Sequence, residues 1–405
     1  MIPPRSLLPL ALFPLLASAY EYLQNPAVGG SDEAGWTEMP PVPGADLITD
    51  WPINGTDSTF TVYRSSGLDN SAITRAIIVP GAKARDHWSY WITMKNILNY
   101  AVEADPSIDP NTISIMSPCF LAQVDTAGAA NSSTLYWSKT GWFAGTYNEG
   151  PNADDKISSY DVLDNLIDHY ADQSIYPNLQ EIIFAGHSAA GQMFQRFPAV
   201  RTSTKHDDMI HFIVANPGSF LWLAEDRPVP NDTCQGVDDF KYGLSGNFPG
   251  YASGIAKRYG RSGLVKRYLA RNIHYAHGTA DDGPGDTACQ AITQGSSHLE
   301  RGQNFASLLD SLSTGWPSAQ TVDWIEGVSH QNQDMFNSTA LRGCLFQTAT
   351  TASTGTKPPQ ASTYATTQDP TTSDSNGVFR PSTHLTGIFA VTFSLVAGTI
   401  GVILL

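Results

Sequence analysis

Positive charge is scarce in this chain: 23 Lys and Arg stand against 38 Asp and Glu in 405 residues, for a formal net charge of −15. A protein that grips phosphate backbones needs a basic face, so nucleic acid is excluded as a partner. Cysteine is scarce as well. Cys119, Cys234, Cys289 and Cys344 are the only four, and none stands at CxxC spacing, which argues against a zinc site. No internal repeat is present, and nothing in the sequence signals an oligomeric state.

The two ends carry what the middle lacks. Arg5, an apolar run over residues 7–16 and the small-x-small string Ala17-Ser18-Ala19 read as a secretory signal over residues 1–19, too short to span a bilayer. Residues 348–376 are rich in Thr, Ser, Ala and Pro, a composition that cannot offset the entropy of ordering and suits an O-glycosylated stalk. Ser375-Asn376-Gly377, a polar spacer and an apolar tail to Leu405 follow. Residues 377–405 therefore read as a removed glycosylphosphatidylinositol-anchor signal, which places the chain on the outer face of the plasma membrane or cell wall. The rival, a retained membrane helix, would normally be followed by Lys or Arg. Sequons at Asn54, Asn131, Asn231 and Asn337 fit a glycosylated exterior. In that oxidising setting four cysteines suggest two disulfides, with three pairings open. Cys289 and Cys344 follow the acid and histidine segments described below, so the expected pairs are Cys289–Cys344 and Cys119–Cys234.

Residues 20–347 are long enough for one domain with a large core. Apolar runs at 76–79 (AIIV), 113–116 (ISIM), 181–185 (EIIFA), 210–214 (IHFIV), 272–276 (NIHYA) and 321–325 (TVDWI) predict strands buried on both faces. An antiparallel strand at 59–63 (TFTVY) precedes them. Helical patterns at 88–103, 159–171, 189–197 and 296–312 alternate with the strands. The fold class is α/β, a mostly parallel central sheet flanked by helices, with sites at the carboxyl ends of its strands. Residues 219–270 interrupt the alternation and read either as a cap, with Phe220 and Trp222 in a substrate pocket, or as a decorated surface loop.

The chemistry gathers at three strand ends. The strand at 181–185 runs into Gly186-His187-Ser188-Ala189-Ala190-Gly191, and a helix follows. A serine on such a tight turn needs small neighbours two residues to either side, here Gly186 and Ala190, and the Ala189 amide at the helix start can hold an oxyanion. From these residues the chain resembles the α/β-hydrolase superfamily, and within it exported fungal and bacterial hydrolases with GHSA-type elbows. The resemblance implies a triad in the order Ser, acid, His. Asp281 in HGTAD fills the acid position, with Asp282 and Asp286 as nearby competitors; the alternating aspartates of a calcium loop are missing there. His330, in the turn after the strand at 321–325, fills the base position. His187 should point away from the serine, and His274 and His277 read as packing residues. The loop VPGAKARDHW at 79–88 would lend the second oxyanion amide from Ala82, with Gly81 allowing close approach, and Lys83 and Arg85 solvated.

These parts predict a serine hydrolase that needs no metal or organic cofactor and acts through an acyl-enzyme on small-molecule or polymer-borne carboxylic esters. A serine peptidase or amidase uses the same parts. A catalytically dead adhesion or wall protein on the same fold, and a lipase or cutinase, are the further readings.

Overall fold

The computed structural model describes residues 22–347. The signal, stalk and anchor readings lie outside the described residues. Within them, no helix is long and apolar enough to cross a membrane.

Eight strands form the central sheet: β1 (Ala45–Pro52), β2 (Thr59–Ser65), β3 (Arg75–Ile78), β4 (Ile113–Pro118), β5 (Glu181–His187), β6 (Ile210–Ala215), β7 (Asn272–Gly278) and β8 (Gln320–Ile325). Their spatial order is β1-β2-β4-β3-β5-β6-β7-β8, antiparallel across β1, β2 and β4 and parallel from β4 to β8. The parallel strands are the continuous apolar runs, and β3 and β4 are buried along their whole length because helices cover both faces.

Helices α1 (His87–Ala104), α2 (Ser159–Tyr170), α3 (Ala189–Val200), α4 (Gly250–Leu269) and α5 (His298–Asp310) make the crossovers, and α6 (Asn332–Phe336) and α7 (Thr339–Phe346) close the described chain. The chain leaves β3 toward β4 on one side, then leaves β5 toward β6 on the other. Their shared border is therefore a topological switch point, where strand ends diverge and leave a crevice.

The sequence reading missed strand β1 and the helices α4, α6 and α7. Strand β1 mixes exposed and buried residues without a clean alternation, and α4 lies inside the segment read as a cap or a surface loop. That segment's second half, α4, is the ordinary crossover from β6 to β7, kinked at Gly260, where φ is +59°. Its first half is irregular chain packed on the domain. Phe220 and Trp222 are buried, Phe220 stacking on Phe305 with ring centroids 4.4 Å apart, so both belong to the core under α5 rather than to a pocket.

The cysteine pairing also differs. One disulfide joins Cys234 to Cys289, while Cys119 and Cys344 are free thiols. The loop bearing Cys234 folds against the segment after the acid turn, where Val229 N donates to Thr293 O and Gln290 Nε2 to Gln235 O. Cys119, just past β4, is a free thiol sealed in the core beside Tyr63. Proximity decided the pairing, and chain order did not report it. Of the four sequons, Asn54, Asn131 and Asn231 are exposed, and Asn337 is half-buried, bonded to Arg342.

At the amino ends of the central strands, Arg75 on β3 pairs with Glu181 on β5. The same guanidinium donates to the carbonyls of Leu345 (3.1 Å) and Gln347 (2.8 Å). The last described residues are thus fastened to the pole of the sheet opposite the switch-point crevice.

Candidate active site

Ser188 sits in the turn from β5 into α3 with φ 56° and ψ −116°, a conformation that L-residues avoid. Its amide donates to Ala215 O at 2.9 Å, which pins the turn to the end of β6. The turn is too tight for bulk: a Cβ on Gly186 would fall 2.5 Å from Ala190 O, and one on Gly191 would fall 2.8 Å from Ala215 O. Among the described residues the Ala189 amide, at the α3 start, has no acceptor.

The imidazole of His330 bridges to both partners proposed from sequence. Its Nε2 lies 2.9 Å from Ser188 Oγ and its Nδ1 2.7 Å from Asp281 Oδ2. A carboxylate can only accept, so the proton is on Nδ1, leaving the Nε2 lone pair for the serine hydroxyl. Asp281 is buried, and burial pushes its carboxyl pKa up. The neighbouring imidazoles, His298 in close contact and His330 hydrogen-bonded, outweigh that and hold it well below the ordinary carboxylate range, so it stays charged. Asp282 is exposed. Asp286 accepts from Tyr242 Oη, Ser219 Oγ and the Ala288 amide, and so fastens the irregular segment to the acid turn.

Three residues around this relay had no signal in the sequence. Asn216, just past β6, is buried with φ +42°. Its Oδ1 accepts from the Gly278 amide at 2.9 Å, and its Nδ2 donates to Ser329 O at 3.0 Å. One side chain thereby ties the acid turn to the histidine loop. His298, the first residue of α5, is buried and places Nδ1 3.2 Å from Asp281 Oδ1 while its ring stacks on His330, centroids 4.1 Å apart. His87 accepts from the Gly81 amide at 2.9 Å through Nδ1. Burial lowers its pKa to about 3, so the ring is neutral and shapes the loop after β3.

Gly81 therefore has its amide engaged, and a Cβ there would lie 3.1 Å from the His87 ring; its absence allows that approach. The Ala82 amide has no acceptor among the described residues. Lys83 is exposed, as expected, but Arg85 is not solvated: it is buried, with Nε 2.7 Å from Asp125 Oδ2, and its guanidinium anchors the loop from below. His187 packs behind the relay, its ring 4.7 Å from that of His330 and its Nδ1 3.2 Å from Tyr90 Oη. Burial keeps its pKa well below the ordinary value. His274 and His277 are packing residues of β7. Hydrogen bonds to Asp323 and Cys344, against the effect of burial, raise His274 to about 9, and burial lowers His277 to about 3.

No protein-family model matches the chain, and no curated protein matches it in sequence. Solved structures similar to it include the LpqC poly(3-hydroxybutyrate) depolymerase from Bordetella parapertussis, at 17% identity over 72% of this chain and 86% of that one, TM-score 0.49. Poly(aspartic acid) hydrolase-1 from Sphingomonas sp. KT-1 is 19% identical over 72% and 96%, TM-score 0.48. The siderophore hydrolase EstA from Aspergillus nidulans is 9% identical over 74% and 95%, TM-score 0.40. The strand order, the serine turn after β5 and the placement of acid and histidine after β7 and β8 define the architecture independently of these likenesses: the chain has the α/β-hydrolase fold.

Proposed function

We propose that this protein is a serine hydrolase that cleaves carboxylic esters through an acyl-enzyme on Ser188, exported and held at the cell surface by a lipid anchor. The observation that carries the chemistry is the unbroken relay from Ser188 Oγ through His330 to Asp281 at 2.9 and 2.7 Å. In the first half-reaction His330 Nε2 takes the hydroxyl proton as Oγ attacks the acyl carbon. The buried charge of Asp281 stabilises the imidazolium and holds its tautomer. The tetrahedral oxygen is received by the amides of Ala189 and Ala82, a type of contact worth about 10²–10³ in kcat per donor. The imidazolium then protonates the leaving alkoxide, and water activated by the same nitrogen releases the acid.

Export and anchoring rest on the terminal sequences alone, and the ester class rests on the acyl-transfer site. A fluorophosphonate probe that labels the wild type and not Ser188→Ala, together with turnover of p-nitrophenyl acyl esters of graded length, is the expected result. Turnover of peptides without ester cleavage would move the assignment to a peptidase or amidase. Absence of labelling in the folded wild type would leave a non-catalytic surface protein.

A further inference from the structure

Asp281 is buried, yet both of its oxygens face imidazoles: Oδ2 meets His330 Nδ1 at 2.7 Å, and Oδ1 meets His298 Nδ1 at 3.2 Å. The relay needs only the first. His298 Nδ1 is a buried polar atom, on a residue 7% exposed, that lacks an aligned hydrogen bond; the contact to Oδ1 is close but out of line. The three donor atoms, one carboxylate oxygen and two imidazole nitrogens, lie within 4.8 Å of one another. The two rings stack, 26° from parallel, and each turns its Nδ1 to one oxygen of the same carboxylate. His330 is the partly open wall, with 35% of its side chain exposed, giving a route in from solvent.

We infer that Asp281, His298 and His330 form a binding site for a divalent transition metal of the zinc class, and that its occupancy switches the hydrolase off. This rests on the reading of Ser188, His330 and Asp281 as the catalytic relay. Two nitrogens and one oxygen are a three-ligand set that suits Zn²⁺, with a fourth position left to water; Ca²⁺ and Mg²⁺ demand more oxygens than the site offers. Tetrahedral zinc at bond lengths of about 2.1 Å sets neighbouring donors about 3.4 Å apart. The two N···O contacts, at 3.2 and 2.7 Å, therefore open by under an ångström, and the stacked rings splay so that both lone pairs converge on one point. Metal and catalysis exclude each other through the tautomer. Zinc takes the Nδ1 lone pair of His330, so the ring proton moves from Nδ1 to Nε2, with no net change in protons on the ring. Nε2 then has no lone pair to accept the serine proton, and Asp281 is diverted to the metal.

The test uses the full chain in chelator-free buffer. Titration of zinc chloride into wild type and Ser188→Ala by calorimetry is expected to give one site in each, weakened about 100-fold in His298→Ala, with no heat from magnesium or calcium. Zinc is expected to abolish ester turnover reversibly, with recovery on adding EDTA. His298→Ala is expected to shift the inhibitory concentration upward by a similar factor. Should that variant fail to fold, His298→Gln, judged folded by circular dichroism, supplies the same comparison. Zinc that does not bind the folded wild type, or binds equally well without His298, overturns the site. If zinc binds through His298 but no ester or fluorophosphonate reacts, the metal site stands, while its action as an off-switch falls together with the hydrolase reading. Ester turnover indifferent to zinc overturns the off-switch and leaves the hydrolase reading standing.

Discussion

Asn216 offers the sharpest test of how the relay is held. Replacing it with alanine deletes two buried hydrogen bonds, from Gly278 N and to Ser329 O. Each contributes about 1 kcal/mol net, and each abandoned backbone partner adds the cost of an unmet polar group, about 1 kcal/mol or more. Asparagine also tolerates the positive φ of +42° better than alanine, worth roughly another 1 kcal/mol. The sum is a loss of about 3–5 kcal/mol in unfolding free energy, read as a lower urea midpoint. The kinetic effect follows from what the bonds join. Freed from each other, the turns bearing Asp281 and His330 can drift, and a displacement of about 1 Å at a reacting centre costs about 10²-fold. We expect kcat for a p-nitrophenyl ester to fall about 100-fold with KM nearly unchanged. Asn216→Asp, which keeps the acceptor for Gly278 and loses the donor to Ser329, should fall between. An Asn216→Ala enzyme within twofold of wild-type kcat and about 0.5 kcal/mol of its stability would refute the reasoning.

Other outcomes are as definite. Gly186→Ala, whose Cβ would sit 2.5 Å from Ala190 O, should lose turnover through distortion of the serine turn, whereas Gly254→Ala, with open space around it in α4, should gain about 0.8 kcal/mol; matched kinetics and denaturation of the two check this. Burial lifts the Asp86 carboxyl to about 6, above its unfolded value near 3.8. The cost of ionising it in the folded state is therefore fully present above pH 6 and is relieved as pH falls toward 4. Relative to Asp86→Asn, the wild type should lose on the order of 2 kcal/mol as pH rises from 4 to 8, seen in Tm across that range. Thiol titration in denaturant without reductant should find two free cysteines, and Cys234→Ser should lose about 2–4 kcal/mol, since its bridge closes a loop of 55 residues.

The strands and the three relay residues were legible because each is announced locally. An apolar run bounded by Gly or Pro marks a buried strand, and the turn after it is where chemistry lies in this kind of sheet. What escaped depends on contacts between distant segments. Asn216 is a lone asparagine after a strand, and its role exists only because the turns after β7 and β8 come to either side of it. His298 is a lone histidine at a helix start. The pairing of Cys234 with Cys289 depended on how an irregular loop folds back. Phe220 and Trp222 are apolar and aromatic whether they line a pocket or fill a core, so composition could not separate the two. Arg85, basic in a loop, gave no sign of the buried Asp125 that holds it.

The clasp of Arg75 on the carbonyls of Leu345 and Gln347 has a spatial consequence. Strand β5 runs from Glu181, beside that clasp, to His187, next to Ser188. Its length puts the last described residues about 20 Å from Ser188, at the far end of the sheet. Coupling the described domain to a solid support directly at Gln347 would leave the Ser188 crevice turned away from that support, open to bulky or immobile material.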